Sequence, residues 1–219
     1  MVTTSVAMMK VMEERGIHAD VAAGLSLGEY CALAAAGVMS EEDAITTVRQ
    51  RGIFMQEEVP AGEGAMAAIL ALDAAVIEEV TADIDGVWIA NYNCPGQIVI
   101  SGSIEGINKA CELMKAAGAK RALPLKVGGA FHSPLMNPAK VELEAAINAT
   151  EFHTPKCPVY QNVDALPHTD PAEIKKNLVA QLTASVRWTQ TVKNMVADGA
   201  TDFTECGPGA VLQGLIKKI

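Results

Sequence analysis

The chain has 219 residues, 50% of them hydrophobic and 20% charged, with a formal net charge of −9. That length accommodates one sizeable core and a smaller appendage. The acidic balance weighs against nucleic acid as a partner, which calls for a basic face. No apolar run reaches the roughly 18 residues that span a bilayer, so no membrane partner is expected.

The five cysteines, Cys31, Cys94, Cys111, Cys157 and Cys206, are odd in number and widely spaced. They read as reduced thiols of a cytoplasmic protein rather than a disulfide framework or a zinc site. The first residues lack the basic start and unbroken apolar stretch of a signal peptide. Neither a metal nor a resident cofactor is expected.

Residues 4–15 place Val6, Met9 and Met12 on one helical face, and Gly16 stops the helix. A short buried strand is expected at 21–23. A tight turn follows over 24–28, then a helix over 29–36 ended by Gly37. Ser40, with Asp43 three residues on, opens a helix to about 57. The rhythm then changes. Strands are expected at 65–72, 87–93, 97–101 and 120–127, with helices at 73–81 and 103–117. This β-α-β-β-α-β order is the ferredoxin-like pattern. Beyond Gly128 come a helix after Pro134, a strand at 158–162 and a helix after Pro171. A helix at 186–197, a strand at 201–206 and a short terminal helix complete the chain. Strands alternating with helices argue for a parallel, helix-covered sheet. The expected fold is therefore α/β, a catalytic domain over 1–59 and 128–219 with a small α+β domain inserted over 60–127.

Gly24-Leu25-Ser26-Leu27-Gly28 matches G-x-S-x-G. The pattern lets a chain leave a strand, turn sharply and enter a helix with serine at the apex. Ser26 then sits on a helix N-terminus, where backbone N–H groups favour negative charge, and the Leu27 N–H can stabilise an oxyanion. A bland reading, a glycine turn with an idle serine, stands beside this one. A serine nucleophile needs a base. Of the four histidines, His18 lies at the wrong end of the expected strand, and His153 and His168 read as surface loop residues. His132 follows a strand and two glycines, the place where sites assemble in such sheets, although it could merely cap the next helix. Asp164 is the nearest candidate for a third member, and a backbone carbonyl would serve equally.

The stretches GLSLGEY, RGIFMQE, NYNCPGQIVISG, AFHSPLM, QNVDA and ECGPGAVLQGL resemble, in family order, the malonyl-CoA:acyl carrier protein transacylases. The related acyltransferase domains of polyketide synthases share them. The resemblance implies a hydrolase-like α/β domain carrying a ferredoxin-like insertion, with malonyl-CoA and an acyl carrier protein as partners. It implies a dyad of Ser26 and His132, with the backbone carbonyl of Gln181 orienting the imidazole. Arg51 matches the arginine that grips the malonyl carboxylate, and Phe131 the malonyl-preferring form of its motif. CoA thioester is then a substrate, and no cofactor is implied.

Two departures are visible. Leu25 stands where many family members have histidine. The family also has a further strand-and-helix segment upstream, whose glycine- and glutamine-rich loop supplies a second oxyanion donor. Loss of one such donor costs about 100- to 1000-fold, so weak or no activity is expected of these residues alone. An uncovered sheet edge would invite a homodimer or a complementing N-terminal segment. A serine thioesterase, or an inactive acyltransferase that only binds a partner, are the alternatives. Lys115, Lys120, Arg121 and Lys126 form the densest basic cluster, a solvated face or a dock for an acidic carrier. Gly207-Pro208-Gly209 reads as a structural turn.

Overall fold

The computed structural model describes residues 1–57, 62 and 64–219. The expected domain boundary at 59/60 lies outside the described residues.

The larger part begins with α1 (Val2–Glu14), β1 (Ala22–Ala23), α2 (Leu27–Ala35) and α3 (Glu41–Glu57). The Ser40 hydroxyl accepts the Asp43 N–H at 3.0 Å, which fixes the start of α3 as the sequence spacing predicts. Gly37 ends α2 with φ +74°, a left-handed conformation that costs glycine little. Beyond residue 127 come a 3-10 turn (Pro134–Met136), α6 (Asn137–Ala149), β6 (Val159–Tyr160) and β7 (Pro167–His168). The chain closes with α7 (Pro171–Gln181), α8 (Trp188–Ala197) and α9 (Val211–Ile216).

Strand order here is β1-β6-β7. β1 runs parallel to β6, with Ala22 opposite Val159, and β7 returns antiparallel. The expected parallel sheet is thus met by a single pair. Residues 201–206, expected as a strand, form none: no neighbouring chain pairs with them among the described residues, and extended backbone becomes a strand only within a ladder. Instead the Glu205 carboxylate caps α9, accepting the N–H groups of Leu212 and Gln213 at 3.1 and 3.0 Å. α2, α3, α6 and α7 cover the β1–β6 pair and bury Tyr30, Leu33, Leu143, Ile174 and Leu178.

Between these halves lies a sheet of β2 (Gly64–Leu70), β3 (Val87–Cys94), β4 (Gln97–Ser103) and β5 (Arg121–Pro124), with α4 (Ala74–Ala82) and α5 (Ile104–Ala116). Its order is β3-β4-β2-β5, antiparallel throughout. Asp73 and Ser103 cap the two helices by accepting the Ala75 and Gly106 N–H groups at 2.9 and 3.1 Å. Ile107, Ala110, Cys111 and Met114 recur at i, i+3, i+4 and i+7, so α5 buries one face. They meet Ile69, Ile98 and Ile100, which share the facing side of the strands. Alternate residues Met66, Ala90 and Val99 point the other way and pack against Phe131. The β3 edge is occupied as well: the Val186 N–H donates to Ala90 O at 2.8 Å and the Tyr92 N–H to Val186 O at 2.9 Å. The small sheet is therefore keyed to the larger part beside residue 132. Among the described residues, no helix is long and apolar enough to cross a membrane.

Candidate active site

The turn after β1 is as tight as G-x-S-x-G demands. A Cβ on Gly24 would strike the backbone of Gly28, so position 24 admits glycine alone. Ser26 takes φ 52° and ψ −106°, a conformation rare for a residue with a side chain. Such strain costs of order 1–3 kcal/mol and persists where surroundings hold it. Ser26 itself is half-buried, at the start of α2.

Three further groups meet that hydroxyl or its partner. His132 Nε2 lies 2.7 Å from Ser26 Oγ. His132 Nδ1 lies 2.9 Å from the carbonyl oxygen of Gln181, at the end of α7. A carbonyl only accepts, so Nδ1 carries the ring proton and Nε2 presents its lone pair to the serine O–H. From α3, Arg51 Nη2 donates to Ser26 Oγ at 3.1 Å. Residues far apart in sequence are thus brought together around one oxygen. Leu27 is the first residue of α2, directly after the nucleophile turn, and Phe131 is half-buried beside His132. His18 and His153 are exposed.

Two expectations are corrected. Asp164 does not reach His132; its Oδ2 lies 2.8 Å from His168 Nε2. A backbone carbonyl, the other alternative, takes the imidazole proton because Asp164 sits in the turn between β6 and β7. His168 is also no open loop residue: it pairs across to Val159 in β7 and its side chain is mostly covered.

Electrostatics sharpen the arrangement. Arg51 is only 6% exposed, and no carboxylate pairs with it among the described residues. Its Nε is buried without a hydrogen-bond partner. Burial, above all, pulls the guanidinium below its usual range. Burial, and next to it the Arg51 charge, push the His132 imidazole down from 6.5 to about 4. The His132 imidazole is therefore neutral, and able to accept a proton, across the whole physiological range.

The sequence of residues 1–218 matches the family model described as the acyl transferase domain. The chain belongs to that family. Over 223 aligned residues it is 50% identical to the malonyl CoA-acyl carrier protein transacylase of Bacillus subtilis, covering all of this chain and 70% of that one. The crystal structure of an acyl carrier protein S-malonyltransferase from Vibrio cholerae superposes with a TM-score of 0.96 at 45% identity, covering 99% of this chain and 72% of the other. A malonyl-transacylase in complex with a type II polyketide acyl carrier protein superposes equally well, with a TM-score of 0.96 at 43% identity over 99% of this chain and 72% of that one.

Within this acyl transferase fold, sequence reasoning passed over Glu29, Gln161 and Asn162. Glu29 is fully buried, two residues into α2. It accepts from the Asn162 N–H at 2.8 Å and from Gln161 Nε2 at 3.0 Å. Burial drives its carboxyl up to about 7 despite those hydrogen bonds. The signal was present: one acidic residue in an otherwise apolar helix, Leu27 to Ala35, is either exposed or paired. Asn162 stood in QNVDA with no role attached.

These shifts set a pH dependence. The acid limb of kcat/KM should fall near pH 4, where His132 takes up a proton. Arg51→Met removes one cause of the depression, so its acid limb should move up toward 6.5. A pH–rate profile of both proteins checks this; coincident acid limbs contradict it. For stability the two buried groups oppose one another. Depressed His132 adds stability above about 6.5 that is lost as pH falls toward 4. Raised Glu29 adds stability below 4.5 that is lost as pH rises through about 7.

Proposed function

We propose that this chain moves a malonyl group from malonyl-CoA to the phosphopantetheine thiol of an acyl carrier protein, by way of an ester on Ser26. The observation that carries the reading is the buried Arg51 guanidinium, without a carboxylate partner among the described residues and 3.1 Å from the Ser26 hydroxyl. A buried cation is costly unless a counter-charge arrives. Malonyl brings one, a carboxylate a single methylene away from the carbonyl that Ser26 attacks. A guanidinium can hold it with two parallel hydrogen bonds.

The steps follow from the atoms in place. His132 Nε2 removes the Ser26 proton as Oγ adds to the thioester carbonyl. Negative charge on that carbonyl oxygen falls at the start of α2, beside the Leu27 N–H. The C–S bond breaks, CoA leaves as the thiol with the proton returned by His132, and malonyl stays on Ser26. The carrier thiol then gives its proton to His132 as its sulfur adds to the ester carbonyl; the bond from that carbon to Ser26 Oγ breaks, Oγ takes the proton back from His132 Nε2, and the carrier departs as malonyl thioester. Gln181 O keeps the ring in the required tautomer, and Phe131, next in sequence to His132, packs against the small sheet.

The βαββαβ order and the strand order β3-β4-β2-β5 support reading that part as ferredoxin-like. The β1–β6 pair under its helices supports a hydrolase-like reading of 1–59 and 128–219, with 60–127 as the insertion. The exposed Lys115, Lys120, Arg121 and Lys126 give an acidic carrier a local basic face on a chain of net charge −9.

Intact-mass analysis tests the reading. Malonyl-CoA alone should add about 86 Da to Ser26, the mass of one malonyl ester. Adding carrier protein should discharge that ester to the carrier faster than water releases free malonate. No adduct refutes the covalent route, and release to water at the same rate with or without carrier means a hydrolase.

A further inference from the structure

The nucleophile turn is held in its strained conformation by side chains, and one of them touches it twice. Asn162 Oδ1 accepts the Ser26 N–H at 2.7 Å, while Asn162 Nδ2 donates to the Gly24 carbonyl at 2.7 Å. The two bonds span the turn from either side. Gln181 adds a third tie, its Nε2 donating to Ser26 O at 3.0 Å. The N–H of a residue at φ 52° is thus met by one side chain, and its carbonyl, which also takes the Glu29 N–H at 3.1 Å, by another. Asn162 follows β6, and its own backbone is anchored inward: its N–H meets Glu29 Oε2 at 2.8 Å, and the neighbouring Gln161 amide meets Glu29 Oε1 at 3.0 Å. Glu29 rides on α2, the helix that the Ser26 turn opens.

We propose that Asn162 is a positioning residue that sets the attack geometry of Ser26, and that buried Glu29 acts through it by fixing where its backbone lies. The Asn162 amide matches an N–H on one side and a C=O on the other, which no hydrocarbon side chain can do and which a carboxylate does on one side only. The Ser26 N–H is consumed in this brace, whereas the Leu27 N–H at the start of α2 is not and can face an oxyanion. The inference builds on Ser26 as nucleophile but not on the identity of its acyl donor.

The test therefore uses two readouts. Labelling of Ser26 by a fluorophosphonate reports nucleophile geometry whatever the natural substrate is. Asn162→Ala should slow that labelling about 100-fold, the scale of an ångström of misplacement. With malonyl-CoA and carrier protein its kcat should fall by a like factor while KM shifts about twofold or less, since Arg51 is untouched. Glu29→Gln keeps the shape and forfeits one of two hydrogen bonds, so a loss of about tenfold is expected. The double variant should be no slower than Asn162→Ala, because Glu29 works through Asn162. Labelling at the wild-type rate in folded Asn162→Ala overturns the proposal, as does a double variant whose loss is the product of the single ones. Should Asn162→Ala not fold, Glu29→Gln decides alone: a wild-type labelling rate overturns it. Slow labelling of the variants together with no malonyl adduct on the wild type would keep this inference and sink the acyl donor.

Discussion

Ser26→Ala, His132→Ala and the double variant should each lose about 10⁴- to 10⁶-fold in kcat, and the double variant should be little worse than either single one. The reason is in the geometry: one proton passes between Oγ and Nε2 across 2.7 Å, and removing either end removes the same event. Single-turnover transfer from malonyl-CoA to carrier protein measures it. The mass adduct separates the two roles, since Ser26→Ala has no atom to carry malonyl, whereas His132→Ala acquires it slowly. A double variant slower than the singles by the product of their losses would mean that the two side chains act in different steps.

Arg51→Met should do two things at once. Loss of a charge-assisted carboxylate clamp, about 1.5–3 kcal/mol, lowers kcat/KM for malonyl-CoA by about 10- to 100-fold. Acetyl-CoA offers no carboxylate, so its use should change far less. The same variant should melt several degrees higher. A guanidinium 6% exposed with no carboxylate partner among the described residues strains the folded state, and methionine fills similar space without that charge. A gain of about 1–2 kcal/mol corresponds to about 2–8 °C in a domain of this size. Arg51→Lys keeps the charge but not the two-pronged grip, so malonyl selectivity should fall there too. Calorimetry beside a substrate-pair assay checks both halves. Lower stability with unchanged selectivity would make Arg51 a structural residue.

Local chemistry was legible in the chain itself. The turn around Ser26 could be read because its spacing is imposed by sterics within five residues. The caps at Ser40, Asp73 and Ser103 are likewise decided by atoms two or three residues away. What stayed hidden depends on who meets whom. Residues 201–206 have strand-like composition, yet whether they join a ladder is set by a neighbour elsewhere in the chain. Asp164 looked like a partner for His132 until folding turned it toward His168. Arg51 could be singled out only through resemblance, because helix periodicity cannot distinguish a buried cation from the exposed Arg49 two residues before it. Glu29 stood out locally as a lone acid in an apolar helix, but the partners of Asn162 and Glu29 lie 136 and 133 positions away, a distance at which no local pattern speaks.

That separation has a bearing on biosynthesis. The amide of Gln181 that braces the Ser26 peptide is made 155 residues after Ser26. At about 5–20 residues per second, the reactive turn stays unassembled for about 8–30 s of translation. A nascent chain therefore holds Ser26 without its tie from α7, and the strained turn can take its final form only after residue 181 has been made.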